Sequence, residues 1–181
     1  MPCGKPPPSG REATSLLTSN IMLKITLITV GRLKEQYLRD AVKEYEKRLS
    51  TLCTLKNVEI EAAKLPDSPN QSQINSALEA EADKILINIP QGAFVMPMCI
   101  EGKQMDSEEL SQKLSDIGVS GQSNVVFIIG GSYGLSDRVK QKADYRLSMS
   151  KMTFPHQLAR VMLLEQIYRA FKISQGGTYH K

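Results

Sequence analysis

Three stretches in the second half of the chain carry residue types that could do chemistry. A glycine loop, Gly130-Gly131-Ser132-Tyr133-Gly134, follows a short apolar run. The stretch 148–172 bends at Pro155 and then continues as a long apolar helix. The polar residues of that helix are His156, Arg160, Glu165 and Arg169. The sequence stops shortly afterwards at Tyr179-His180-Lys181. We expect the three stretches to build one site.

The backbone contributes as much to this chemistry as the side chains. Glycines let a ligand approach the chain closely, and the amides at the start of the helix after Pro155 can donate to a polar ligand. His156 can accept a proton near neutral pH, or it can be a core histidine with its hydrogen bonds satisfied. An ordinary tight turn and an ordinary strand-to-helix connection are the alternative interpretations of the two loops.

The composition narrows the class of protein. The chain has 181 residues, of which 41% are hydrophobic and 23% charged, as expected for one globular domain. Cys3, Cys53 and Cys99 are widely spaced and only two histidines are present, which predicts no metal site and no disulfide framework and fits the cytosol. No apolar run is long enough to cross a membrane. The net charge of +4 permits a nucleic acid partner without requiring one.

Residues 1–21 do not resemble part of a folded domain. The segment contains PPPSG and is rich in Ser and Thr, a composition typical of polyproline-like or disordered chain. It lacks an apolar region of signal-peptide length. We interpret it as a leader or an upstream extension, with a transit peptide as the alternative, and we predict a single domain over residues 22–181.

Hydrophobic periodicity predicts five strands that alternate with helices. The strands are predicted at 23–30, 56–64, 93–100, 124–129 and 145–149, and the helices at 34–49, 73–87, 107–114, 136–143 and 155–174. This alternation indicates an α/β fold, a mainly parallel sheet with flanking helices. Glu101-Gly102-Lys103 is predicted to turn, and Pro97 suggests an edge position, a bulge or a bend in the third strand. Asp106 or Ser107 should begin the third helix.

Ligands of parallel α/β sheets bind at the carboxyl ends of the strands. The loops 98–102, 130–134 and 150–155 should therefore share one rim. The sequence has no GxxxxGK[ST], no GxGxxG after the first strand and no GxSxG, which argues against Walker, Rossmann and serine-hydrolase sites. The broad apolar face of the last helix indicates either a dimer seam or plain core.

The motifs resemble those of the bacterial ribosomal RNA large subunit methyltransferase H family. The segments that carry the resemblance are 24–26, 30–34, 130–135, 147–157, 165–172 and 179–181. The resemblance covers Met22 to Lys181, the whole chain apart from residues 1–21. Several motifs occur in the same order as in the family, so the resemblance is specific.

The resemblance implies a SPOUT-class fold with a C-terminal trefoil knot, and a cytoplasmic homodimer. It further implies S-adenosylmethionine as cofactor, no metal, and methylation of N3 of a pseudouridine in 23S ribosomal RNA within assembled ribosomes. Met98 stands where the family usually has leucine, which keeps an apolar contact. Carried onto this sequence, the cofactor-binding residues would be Met98, Gly130, Met149, Ser150, Lys151, Met152, Thr153 and Phe154.

The acceptor in such a reaction is a ring N–H that must lose its proton, so the family activity implies a base or a stabilising cation. The candidate catalytic residues are His156, Arg169, Tyr179 and His180, and the base is not assigned among them. Arg160 and Lys181 are further candidates, and the two arginines are better suited to electrostatic or phosphate contact. Arg169 could instead only pair with Glu165, and the tail could be frayed. Two alternative functions remain at this point: a non-catalytic ribosome- or RNA-binding protein, and a related knotted methyltransferase that acts on tRNA.

Overall fold

The computed structural model describes residues 22–176, and these form alternating strands and helices. The strands are β1 (Lys24–Val30), β2 (Thr54–Ile60), β3 (Phe94–Gln104), β4 (Asn124–Ile129) and β5 (Leu147–Ser148). The helices are α1 (Gln36–Leu49), α2 (Gln71–Leu86), α3 (Ser107–Val119), α4 (Asp137–Gln141) and α5 (His156–Ser174). Among these residues no helix is both long and apolar enough to cross a membrane. Residues 1–21 and the tail Tyr179-His180-Lys181 lie outside the described part of the chain.

The five strands form one sheet in the order β2-β1-β4-β3-β5. Every strand pair is parallel, which confirms the α/β fold with a parallel sheet. Because all strands run in the same direction, their carboxyl ends meet at one edge. The central strands β1 and β4 are buried on both faces, which explains why each is a nearly continuous apolar run.

Helices cover both faces of the sheet. Ile25 and Leu27 of β1 belong to a core shared with α1, α3 and α5, whereas Ile28 and Val30 belong to a second core beneath α2 and α4. This division follows from the two-residue period of a strand. Helix α5 packs against both α1 and α3 and so lies at the centre of its layer.

The apolar face of α5 is used mainly within the chain. Leu163, Leu164 and Ile167 are almost fully buried, and Tyr168 and Phe171 pack against the same core although they are partly exposed. The plain-core interpretation therefore accounts for the body of this helix. The exposed large apolar side chain of α5 within the described residues is Leu158, near its start.

The third helix begins where the sequence predicts. Asp106 caps α3, with its carboxylate accepting from the Glu109 amide at 2.7 Å and the Glu109 side chain accepting from the Asp106 amide at 2.9 Å. This reciprocal capping box satisfies two amides that would otherwise lack partners. The prediction that the helix ends at residue 114 is wrong, because α3 continues to Val119 and thereby buries Ile117.

The predicted turn at Glu101-Gly102-Lys103 is also wrong, since β3 continues through it to Gln104. The Lys103 amide donates to the carbonyl of Arg146 at 2.9 Å. A Cβ on Gly102 would lie 2.7 Å from that same carbonyl oxygen, so only glycine allows the two backbones to come this close. Pairing with a segment more than forty residues downstream therefore extends strand β3.

The fifth strand is shorter than predicted, with only Leu147–Ser148 in the sheet. The residues before it are held differently: Asp144 and Tyr145 both donate their amides to the carbonyl of Val95, and the Asp144 carboxylate accepts from the Val95 amide at 2.7 Å. The pairing of β3 with β5 shifts register between Met98 and Lys103. This irregularity begins one residue after Pro97, whereas Pro97 itself pairs in register with Ile128 of β4.

Candidate active site

The loops after β3, β4 and β5 line one cavity of about 620 Å³. Its volume lies within the usual range for small-molecule sites. Seven of the eight residues that the resemblance assigns to the cofactor border this cavity: Met98, Gly130, Met149, Ser150, Met152, Thr153 and Phe154. The eighth, Lys151, is exposed and does not line it. The three loops thus share the rim predicted from the carboxyl ends of the strands.

The glycine loop folds tightly back on itself at the end of β4. A Cβ on Gly130 would overlap the carbonyl group of Gly134. The Gly134 amide donates to the Gly131 carbonyl at 3.1 Å, and Gly134 has a φ of +82°, a conformation that favours glycine. The loop therefore leaves bare backbone facing the cavity, where a ligand can approach closely.

The loop from β5 into α5 is held by its own side chains. Ser148 Oγ donates to the carbonyl of Ser150 at 3.1 Å, and Ser150 Oγ accepts from the Met152 amide at 3.0 Å. Pro155 precedes the first helical residue, and its carbonyl accepts from the Ala159 amide. The first turn of α5 presents backbone amides without intrahelical partners beside the cavity.

His156 lines the cavity at the start of α5 and is half-buried. A Cβ on Gly31 would come within 3.3 Å of its Nε2 atom, so the imidazole packs against the chain just after β1. Burial lowers the pKa of His156 from its usual value, and the positive charge of Lys34 lowers it further. The imidazole is therefore neutral at pH 7 and able to accept a proton.

Arg160, one turn after His156, does not line the cavity. Its side chain is only 6% exposed, and Nη1 lies 2.5 Å from Oε1 of Glu59 at the end of β2. Among the described residues, Arg160 Nε and Thr29 Oγ1 are buried without a hydrogen-bond partner. The ion pair fixes the first turns of α5 above the carboxyl ends of β1 and β2. Sequence reasoning missed Glu59, although a glutamate in an alternating strand was a visible signal.

Arg169 forms the helical pair that was the alternative interpretation. Its Nη2 and Nε atoms lie 2.7 Å and 3.2 Å from Oε1 of Glu165. Arg169 does not line the cavity, and thirteen residues at 1.5 Å each place it about 20 Å beyond His156 along α5. The structure therefore brings His156 to the cavity but not Arg169. Tyr179 and His180 lie outside the described residues.

Three further cavity residues, Cys99, Ile100 and Pro155, belong to the rim loops predicted from the sequence. Ile129, Leu147, Ser148 and Ala159 also line the cavity and were not named as candidate site residues. Burial raises the pKa of the Cys99 thiol, and Glu101 adds to the effect, so the side chain serves as a small neutral apolar group. Within residues 22–176, no group of three or more His, Cys, Asp and Glu side chains is placed to hold a metal ion.

Comparison with known proteins identifies the family of this chain. The family model described as "Predicted SPOUT methyltransferase" matches residues 23–180, so the class of protein is a SPOUT methyltransferase. Ribosomal RNA large subunit methyltransferase H of Clostridium acetobutylicum is 52% identical over 159 residues, which cover 88% of this chain and 100% of that protein. The protein of the same name from Bifidobacterium adolescentis shows the same identity and coverage.

The chain belongs to the ribosomal RNA large subunit methyltransferase H family. Among solved structures, a probable methylase family protein from Haemophilus influenzae Rd KW20 matches 89% of this chain and 71% of its own at 14% identity, with a TM-score of 0.47. SPOUT methyltransferases use S-adenosylmethionine. The cavity fits such a group, because the backbone of Gly130 and the apolar side chains of Met98, Met149 and Phe154 border one space of about 620 Å³.

Proposed function

We propose that this chain methylates N3 of a pseudouridine in 23S ribosomal RNA, with S-adenosylmethionine as the methyl donor and assembled ribosomes as the substrate. One observation carries the proposal: seven residues that the family resemblance assigns to the cofactor border a single cavity. The curated relatives, matched over their full length, carry the name ribosomal RNA large subunit methyltransferase H, which supports ribosomal RNA as the substrate.

The cofactor would be held by the three loops. Met98, Met149 and Phe154 offer apolar contact, while the backbone of Gly130 and the hydroxyl groups of Ser150 and Thr153 offer polar contact at the same cavity. This mixture of apolar walls and a few polar groups is typical of cofactor sites. Lys151, exposed beside the cavity, would contribute through its backbone.

Bound S-adenosylmethionine supplies an electrophilic methyl group, so the protein must orient the acceptor nitrogen and take up its proton. His156 is placed at the cavity, and its lowered pKa keeps a lone pair free at neutral pH. His180 is the other candidate base, with Tyr179 as a stacking surface for the acceptor base and Arg169 as a stabilising cation. The family motif that supports these three roles does not choose between the two histidines.

A homodimer accounts for the distance between the candidate catalytic residues Arg169 and His156. Arg169 lies about 20 Å from His156 along α5, so it cannot act at the cavity of its own chain. Large apolar side chains are exposed at or near the cavity: Ile100 is 66%, Met152 69% and Leu158 40% exposed. Such a patch is typical of an interface. In our proposal a second copy covers it, one protomer holds the cofactor, and both contact the RNA.

The remaining parts of the proposal follow from family membership. We place the catalytic domain at residues 22–181, since the family model matches residues 23–180, and residues 1–21 outside it. The close passage of Arg146 over Gly102 is compatible with a trefoil knot in the C-terminal half. Ribosomes as substrate place the protein in the cytoplasm.

Transfer of labelled methyl groups tests the proposed function. The native chain should label the 23S RNA of assembled ribosomes at one pseudouridine, and mass spectrometry of RNA fragments should locate the label at N3. Free 23S RNA should be a poor substrate, because a small domain without a separate RNA-binding module depends on a preformed ribosomal surface.

Equal rates on free RNA and ribosomes would contradict the choice of substrate. Labelling of tRNA alone would favour a related tRNA enzyme. Ribosome binding without any methyl transfer would favour a non-catalytic binding protein.

A further inference from the structure

The loop from β1 to α1, residues 31–35, lies beside the cavity, and no contact with a ligand has been assigned to it above. Strands β1 and β4 pair in parallel, so Gly31 and Gly130 follow their strands at the same edge of the sheet. A Cβ on Gly31 would come 3.3 Å from His156 Nε2, and His156 lines the cavity. Anything bound at the cavity mouth therefore meets this loop.

The shape of the loop is fixed from two sides. Arg39 Nη1 donates to the carbonyls of Leu33 and Lys34 at 2.8 Å and 2.6 Å. The Lys34 amide donates to Oε1 of Gln157, in the first turn of α5, at 2.8 Å. Because the backbone is already held in place, a partner that binds the loop loses little free energy in ordering it.

This fixed loop presents two cations without counter-charges. The side chains of Arg32 and Lys34 are exposed and form no ion pair within residues 22–176, not even with the adjacent Glu35. Lys24 and Lys56 are also exposed without ion pairs within these residues, so the distinguishing feature of Arg32 and Lys34 is their position on a fixed loop beside the cavity. Two unpaired cations on a rigid loop beside the active site indicate an anionic partner.

We propose that Arg32 and Lys34 bind backbone phosphates of the RNA strand that presents its acceptor base to the cavity. The inference rests on the proposed function, because it assumes that the partner at this cavity is RNA. Contacts to phosphate from Arg and Lys set the register of a nucleic acid on a protein without reading its sequence. Tyr37, in the first turn of α1 and 67% exposed, adds a flat surface on which a neighbouring base can stack.

Equilibrium binding to purified bacterial ribosomes tests the assignment without requiring catalysis. The native chain is compared with the double variant Arg32→Ala/Lys34→Ala over a range of KCl concentrations at fixed Mg²⁺. The matched control is Lys24→Ala/Lys56→Ala, which removes two exposed cations, one at the amino end of β1 and one within the edge strand β2. S-adenosylmethionine binding by each variant verifies that the cavity is intact.

The double variant should bind ribosomes roughly fivefold more weakly, as expected for two exposed ion pairs. Its plot of log affinity against log salt should be shallower by about 0.7 for each lost phosphate contact, the value for single strands. The control variant should match the native chain in both respects.

Three outcomes separate the inference from the proposed function. Unchanged affinity and slope in the double variant would overturn the inference, while methyl transfer by the native chain would leave the function standing. A photo-crosslinker at position 34 that labels a ribosomal protein instead of RNA would overturn it as well. Weaker, less salt-dependent binding in a chain that transfers no methyl group would support the inference and reject the function.

Discussion

Arg160 and Glu59 form an ion pair that joins the last helix to the edge strand, with Nη1 2.5 Å from Oε1 and the arginine side chain 6% exposed. The two residues are 101 positions apart in the sequence. The Glu59 side chain is 39% exposed, so replacing it leaves the buried guanidinium of Arg160 without its counter-charge, which is more costly than removing both groups. This pair therefore holds the start of α5, and with it His156, over the carboxyl edge of the sheet.

The first prediction concerns the stability that this pair contributes. Glu59→Gln should lower the free energy of unfolding by about 2 kcal/mol, the cost of losing a hydrogen bond to a charged group. Adding Arg160→Met should recover part of the loss, because the buried charge is then gone. Urea denaturation measures both effects in a double-mutant cycle.

The exposed pair between Arg138 and Glu79 provides the control for that cycle. Both side chains are nearly half exposed, so Glu79→Gln should cost less than about 1 kcal/mol. If the Glu59 and Glu79 variants lost the same stability, the structural role given to the pair of Glu59 with the buried Arg160 would be wrong.

The second prediction is that His156 titrates below the usual histidine value of about 6.5. Its pKa is lowered by burial and by Lys34. Between the folded and unfolded pKa values the unfolded chain binds more protons, so the contribution to stability is full above about pH 6.5 and is lost as the pH falls below it. Lys34→Ala should raise the pKa of His156 relative to the native chain.

Proton NMR follows this titration directly. The chain has two histidines, so the spectrum of the His180→Gln variant assigns the His156 signals. A pKa at or above 6.5 in the native chain, or no rise in the Lys34→Ala variant, would refute the described environment of His156.

The third prediction tests the proposed dimer. Leu158→Glu should weaken self-association roughly tenfold to a hundredfold, because one buried leucine contributes about 1.5–3 kcal/mol. Val119→Glu is the matched control, since Val119 is 86% exposed at the end of α3. In sedimentation velocity, the Leu158 variant should dissociate to monomer as its concentration is lowered. The native chain and the Val119 variant should not. A native chain that is monomeric at all concentrations would exclude the dimer.

The fourth prediction separates the role of Arg169 from a structural one. Arg169→Lys keeps a positive charge four residues after Glu165 but loses the planar guanidinium group. Its kcat should fall about a hundredfold, as for loss of one stabilising donor, while its affinity for S-adenosylmethionine should stay unchanged. Arg138→Lys, at an exposed ion pair, should keep native kcat. A native kcat in the Arg169 variant would contradict the catalytic role and leave Arg169 with a structural one.

The bounds of some strands could be predicted from the sequence more accurately than those of others. Strand β4 was predicted at its observed bounds, 124–129, because a strand buried on both faces is a continuous apolar run. The pairing of Lys103 with Arg146 was missed, because it depends on chain more than forty residues away. Glu101-Gly102-Lys103 has local turn character, and tertiary pairing overrides it.

The position of the cavity could also be predicted from the sequence, whereas the contacts that hold its surrounding elements in place could not. Loops after parallel strands must meet at the carboxyl edge, so Gly130 and the loop before Pro155 could be placed together without coordinates. The pairing of Glu59 with Arg160 could not be predicted, because a charged residue in a strand does not indicate which residue it will contact. The distance between Arg169 and His156 follows from helix geometry, yet it became informative only once the cavity was located.

The central claim is that the cavity bordered by Gly130 and Thr153 binds S-adenosylmethionine. Titration calorimetry should show saturable binding to the native chain. Binding should be lost in Gly130→Ala, whose new Cβ would overlap the Gly134 carbonyl, and in Thr153→Trp, which fills the cavity from an exposed position. Gly118→Ala, where a Cβ makes only ordinary contact at 3.8 Å, should bind as the native chain does. A folded native chain that does not bind, or two cavity variants that bind normally, would contradict the claim.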